Sequence, residues 1–210
     1  MKIAIIGSGN VGKALAGAAT KAGHTVRISA TDVTHAEDAA KATRAQAAPS
    51  NKEAVKEAEL VVLAVPANKV DEVVGALKSE LNGKVIVDVT NRVNMKDLTA
   101  TLDGTSNAEH IQEMAPNAHV VKAFNYAFAS KMANPQVDGT NLDAFLAGDD
   151  KTAKSKVAEF AESIGFRPID AGPLAMSRAL EAMGVLNIQL QIQHGWPWQS
   201  GYKLIGPTGG

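Results

Sequence analysis

The sequence contains no cysteine, which excludes disulfides, thiolate-bound zinc and a cysteine nucleophile together. Aromatic side chains make up only 4% of its 210 residues, too few for the platforms on which proteins stack nucleobases. Charge of one sign is not in excess either: 21 basic residues stand against 22 acidic ones, for a net charge of -1. With no block of like charges, neither nucleic acid nor an anionic membrane surface is an expected partner. No apolar run is long enough to span a bilayer. The opening "MKIAII" reads as a buried strand, which leaves no room for a cleaved leader and makes the cytoplasm the expected compartment.

What remains is an ordinary globular composition, 45% hydrophobic and 20% charged, at a length that suits one well-filled core. Short β-branched runs recur: "KIAII", "TVRIS", "LVVLAV", "KVIVDV", "HVVKAF", "AFLAG" and "FRPID". Several lack alternation, as strands buried on both faces of a parallel sheet do. Helices are expected between them at Val11 to Ala22, Ala36 to Gln46, Lys69 to Leu81, Asn107 to Met114 and Lys151 to Ile164. The predicted fold is therefore α/β, a doubly wound parallel (Rossmann) sheet over residues 1–173. A C-terminal helix and tail, residues 174–210, belong to the same compact unit. Asn91 to Thr105 is polar and follows a strand, which predicts a loop over the ligand crevice. Leu174 to Gln193 reads as a helix that is apolar around much of its circumference, predicting burial by the sheet on one side and by a second subunit, as a homodimer, on the other.

"IAIIGSGNVGKAL" sets Gly7, Gly9 and Gly12 between a strand and a helix. The spacing has a mechanical reading. Gly7 permits the tight turn, Gly9 lets a pyrophosphate approach the backbone, and Gly12 lets the helix pack closely on the strand. Amides near Ser8, Asn10 and Val11 would face the phosphates, aided by the helix dipole. The end of the second strand decides between NAD and NADP, and here it holds Ala30 and Thr31, neither acid nor base. Asp32 could bind ribose hydroxyls as in NAD sites, whereas Thr31 and His35 together could hold the extra phosphate of NADP. At the next strand ends, Val65, Pro66 and Ala67 could wall the adenosine ribose, and Thr90 and Asn91 could face the nicotinamide ribose. Both turns are equally what ends a strand.

A proton donor is hard to find. Tyr126 has no lysine four positions on, and no two of the five histidines are spaced as metal ligands. Lys122, inside a strand, reads as a sheet-edge or surface residue. Hydride exchange between two redox rings asks for little beyond alignment, because the cofactors carry the chemistry.

"IGSGNVGKAL", "VVKAFN" and above all "FRPIDAGPLAMSRALEAM" resemble the NADP oxidoreductases that use the deazaflavin coenzyme F420, and the related cytosolic domains of membrane metalloreductases, which use flavin. The resemblance implies hydride transfer between NADP(H) and coenzyme F420 or flavin. It implies that Phe124 and Asn125 lie beside the nicotinamide, with Asn125 orienting the carboxamide or ribose, and that Gly172, Pro173 and Leu174 wall the second ring. The family's NADP users commonly carry Ser-Arg where this chain has Ala30 and Thr31. Two other readings of the same scaffold are an NAD(P)H-dependent imine or carbonyl reductase and a non-catalytic NADP(H) sensor. Trp196 and Trp198 lie in a Gly- and Pro-rich tail expected to pack locally.

Overall fold

The computed structural model describes residues 1–94, 99–100 and 104–208, so the expected crevice loop at Asn91 to Thr105 lies partly outside the described residues. The chain opens with β1 (Lys2–Ile6), α1 (Asn10–Lys21), β2 (Thr25–Ser29) and α2 (Val33–Thr43). A two-residue strand β3 (Gln46–Ala47), the short α3 (Asn51–Val55) and β4 (Leu60–Leu63) follow. A 3-10 turn at Ala67–Lys69 leads into α4 (Val70–Leu77) and β5 (Val85–Asp88). Next come the hairpin of β6 (Val93–Asn94) and β7 (Thr99–Ala100), then α5 (Asn107–Met114) and β8 (His119–Lys122). After α6 (Ala129–Ala133), the hairpin of β9 (Gln136–Val137) and β10 (Thr140–Asn141) precedes β11 (Asp143–Ala147), α7 (Lys151–Ser163) and β12 (Arg167–Gly172). A second 3-10 turn at Leu174–Met176 runs into α8 (Ser177–His194).

Eight strands form one sheet in the order β12-β11-β8-β5-β4-β1-β2-β3. Successive side chains point to opposite faces, so each apolar strand feeds two cores. Ile3, Ile5, Val62 and Val87 pack with Leu15 and Phe160 on one face. Ala4, Ile6, Val61, Leu63 and Ile86 pack with Val55, Val74 and Ile111 on the other. That two-sided burial explains why "LVVL" and "VIVD" show no alternation. Side chains start the helices on schedule: Asp32, Ser50, Ser106 and Asp150 each accept an orphan amide at the first turn of α2, α3, α5 and α7. α1 starts without such a cap, because its N-cap is Gly9.

The doubly wound Rossmann sheet is as expected, with one departure in strand direction and one at the last helix. The sheet is mostly rather than wholly parallel, because β11 meets β8 antiparallel while β12 follows β11 in parallel. The segment between β8 and β11 holds the five-residue α6 and a two-stranded hairpin in place of a crossover helix. The last helix is not buried against a sheet face. α8 lies over the segments that follow β5 and β8, where Asn125 Nδ2 donates to Leu180 O at 2.7 Å and Asn187 Nδ2 to Tyr126 O at 3.0 Å. Loop backbone needs polar partners, so the buried side of α8 carries Ser177, Glu181, Asn187 and Gln191, while Leu186 and Ile192 stay exposed. The tail packs back on the sheet edge through Leu204 N–H and Lys203, both bonded to Asp143.

Candidate functional site

The turn after β1 is shaped by its glycines. Gly7 has φ 115°, and a Cβ built there would lie 2.3 Å from the Ala64 carbonyl oxygen. At Gly12 a Cβ would lie 2.0 Å from Gly7 O, so only hydrogen lets α1 sit this close to the turn. Gly9 differs, since a Cβ there meets nothing within 4 Å. The space above Gly9 is open, and the amides of the first α1 turn have no intrahelical partners. An anion is the natural occupant of such a place.

A cavity of about 430 Å³ opens from that turn. It gathers Gly7, Ser8, Gly9, Ala30, Thr31, Asp32, His35, Val65 and Pro66, all singled out in the sequence, and adds Asn51. Ala67, Asn10 and Val11 flank it at the starts of the Ala67–Lys69 turn and of α1. Asp32 spends one oxygen on capping α2, accepting from Thr34 N–H at 2.8 Å; that bond is the main cause that holds its carboxyl below the usual range. Asn51 was not foreseen; its Oδ1 accepts from Ser29 Oγ at 2.8 Å, which ties α3 to the end of β2. No lysine or arginine is among the described residues that line this cavity.

At the ends of β5 and β8 the two amides expected near the nicotinamide meet each other. Asn91 Nδ2 donates to Asn125 O at 2.7 Å, and Asn125 Nδ2 donates to Asn91 Oδ1 at 2.7 Å. Asn125 Oδ1 is buried and accepts nothing among the described residues. A buried acceptor left open in this way is costly unless a ligand donor fills it. Gly184 of α8 is the small residue that admits this pair, as a Cβ there would lie 2.7 Å from Asn91 Oδ1.

Phe124 departs from the expected role. Its ring is fully buried, edge-on to Phe160 and Phe166, so only its backbone can face a ligand. That backbone has φ 61°, a strained conformation for a bulky residue that costs about 1–3 kcal/mol. Leu174 departs likewise: its side chain sits in the core with Ile111 and Val120, and its N–H is held by Asp149 Oδ1 at 2.8 Å. Gly172 (φ 102°) and the exposed Pro173 keep outward faces. Arg178 forks onto Glu109 with bonds of 2.9 and 2.6 Å, and Ser177 is buried with an unpartnered Oγ among the described residues.

The largest surprise is Lys122. Far from lying at a surface, it is fully buried, with Nζ 2.5 Å from Asp88 Oδ2, 2.6 Å from Glu181 Oε1 and 2.8 Å from Thr90 O. Asp88 Oδ1 accepts from the Thr90 N–H and hydroxyl, Thr90 Oγ1 accepts from Asn107 Nδ2, and Glu181 accepts from the amides of Asn107 and Arg92. The network fastens the Thr90–Asn91 turn to α8. Its signal in the sequence was an acid and a base closing two otherwise apolar strands, and Asp88 and Lys122 are indeed register neighbours.

Among the described residues, Tyr126 and His24 are both engaged by other groups. The Tyr126 hydroxyl donates to Asp143 O and accepts from Phe145 N–H, and burial pushes the phenol well up. His24 is bonded to the chain's amino terminus and to Ser163, with burial lowering its pKa. No cluster of potential metal ligands occurs among the described residues.

Known proteins resemble this chain in sequence and fold. Residues 2–92 match the family described as "NADP oxidoreductase coenzyme F420-dependent". The F420-dependent NADP reductase of Methanothermobacter marburgensis is 30% identical over 214 residues, covering 92% of this chain and 94% of that protein. Rat metalloreductase STEAP3 is 31% identical over 182 residues, covering 87% of this chain, which spans only 36% of the metalloreductase's length. A crystal structure from Arthrobacter sp. FB24, assigned as an F420-dependent NADP reductase, superposes with a TM-score of 0.88 at 29% identity over 98% of this chain and 100% of that one.

Proposed function

The chain belongs to the F420-dependent NADP reductase family, and from that premise we propose that it passes hydride between NADP(H) and the deazaflavin coenzyme F420. The observation that carries this reading is the open position over Gly9 between two glycines that backbone jams shut. It is a cradle that fits a pyrophosphate and that any side chain would fill. Amides of Ser8, Asn10 and Val11 hold the diphosphate. Thr31 and His35 take the adenosine phosphate beside Ala30, with Val65, Pro66 and Ala67 as the opposite wall. The Thr90–Asn91 turn lies beside the nicotinamide ribose, and Asn125 orients the carboxamide or ribose. Gly172, Pro173 and the backbone of Leu174 wall the second ring.

When bound, the two rings supply the chemistry, exchanging one hydride between ring carbons while the reduced deazaflavin takes a further proton from solvent. The protein aligns the rings and excludes water; a proton-donating side chain is not required. A flavin acceptor is the second reading, favoured by the likeness to the metalloreductase. Stopped-flow mixing with NADPH and either acceptor tests both. Bleaching of the deazaflavin band is expected, and silence with deazaflavin and flavin alike refutes the reading.

The assignment extends to organisation: residues 1–173 bind the dinucleotide, residues 174–210 complete the same unit, and the protein works in the cytoplasm as a homodimer. No helix among the described residues is long and apolar enough to cross a membrane. Support for the dimer comes from Leu186 and Ile192 on the outer side of α8, 53% and 50% exposed. Sedimentation of Leu186→Asp should give a monomer; an unchanged mass removes α8 from the interface.

A further inference from the structure

We infer that Glu181 and Asp88, flanking the buried Lys122, bias the nicotinamide site toward the oxidised, cationic form of the dinucleotide. The inference rests on the dinucleotide reading above and assigns its site a redox preference. Two carboxylates share one ammonium. Both act as acceptors of several N–H and O–H bonds, the behaviour of ionised groups. One net negative charge is therefore held where water is excluded. Neutralising Lys122 would need only one carboxylate; the second arrives on α8, an element otherwise joined to these strand ends by neutral bonds.

The charge sits in hydrogen-bond contact with Thr90, one residue from Asn91, on the strand ends given to the nicotinamide half of the site. The nicotinamide ring is neutral when reduced. After it gives up a hydride, two electrons with one proton, to the acceptor it carries one positive charge. A fixed negative charge in a low-dielectric surround favours the cationic form. The bound dinucleotide is thereby a stronger hydride donor than it is in water. Glu181 and Asp88 are positioning residues in this scheme and touch no reacting atom. Arg92, which donates its N–H to Glu181 and its Nη1 to Thr105 O, is common to all variants below and drops out of the comparison.

The test is calorimetric titration of the full chain with NADP+ and with NADPH, in wild type, Glu181→Gln and Asp88→Asn. Each variant removes one negative charge from a different side of Lys122 and disturbs different neighbours. The ratio of the NADP+ to the NADPH dissociation constant should rise roughly tenfold in both, the scale of one unit charge acting across a few side chains at an effective dielectric of about 20. Asn187→Ala, which loosens α8 without changing charge, should leave the ratio unmoved. A ratio that stays within about twofold of wild type in a folded charge variant, or that rises equally in Asn187→Ala, overturns the inference. Wild type alone also tests it: NADPH bound more than about tenfold tighter than NADP+ is the opposite of the expected bias. Wild type that binds neither dinucleotide refutes the dinucleotide reading itself, whereas binding of both with an unmoved ratio refutes only the charge bias.

Discussion

Gly9→Asp separates binding from folding at the cradle. Gly9 has φ −70° and extended ψ, a backbone open to any residue, and its Cβ would meet no atom within 4 Å. It is also the N-cap of α1, where aspartate is favoured over glycine by about a few tenths of a kcal/mol. The folded protein should therefore lose nothing. A bound diphosphate would face a new carboxylate at contact distance, a repulsion of about 1 kcal/mol per charge pair in water and about 4 at an effective dielectric near 20. With two phosphate charges opposed, a loss of about a hundredfold or more in NADPH affinity follows. Gly12→Ala should show the reverse pattern, because its Cβ would lie 2.0 Å from Gly7 O. α1 must then move off β1, at a cost of about 1–3 kcal/mol or more. Fluorescence titration of NADPH and thermal melting read the two effects independently. A folded Gly9→Asp protein with wild-type affinity would show that the pyrophosphate lies elsewhere, and one that melts early would show that the space is not open.

Thr31→Arg adds a guanidinium to a cavity whose described lining has no basic group; the affinity ratio of NADPH over NADH should rise about tenfold, read by paired titrations. Lys122→Met leaves Asp88 and Glu181 facing each other unpaired in the interior, and should cost about 3–5 kcal/mol in urea unfolding. Burial pushes the Asp143 carboxyl up, but the Arg167 guanidinium, Leu204 N–H and Lys203 ammonium outweigh it and hold it below the usual range. Its folded pKa is thus depressed, so its stabilisation is complete above about pH 4 and is lost as pH falls through the folded value. The stability gap between wild type and Asp143→Asn should accordingly shrink in urea melts below pH 4, and a gap that widens there would contradict the ion pairs.

The glycine turn after β1 was legible because its geometry is local. Three glycines, a strand and a helix lie within one short stretch, and each glycine answers a contact that the neighbouring backbone makes unavoidable. The two-sided core of β1, β4 and β5 was legible for the same reason, since uninterrupted apolar runs have only one comfortable place in an α/β sheet. Capped helices such as α5, with its Ser106 and Glu109 box, likewise fall where expected.

The strand directions at β11 and β12, the polar underside of α8 and the Asp88–Lys122–Glu181 cluster were not legible. α8 looked like a helix for a sheet face because Ala179, Ala182, Met183, Leu186 and Leu190 are apolar, yet it lies over loop backbone, and that backbone selects Glu181, Asn187 and Gln191 as the buried side. Lys122 looked like a surface residue because a lysine is almost never fully buried unless it is paired, and both its partners come from distant segments. The sequence alone determined the main strands and helices and the glycine turn after β1, where cause and effect are neighbours along the chain. Only the tertiary structure decided which charges meet in the interior and which face of the last helix stays exposed, because desolvation and pairing depend on what packs together in space.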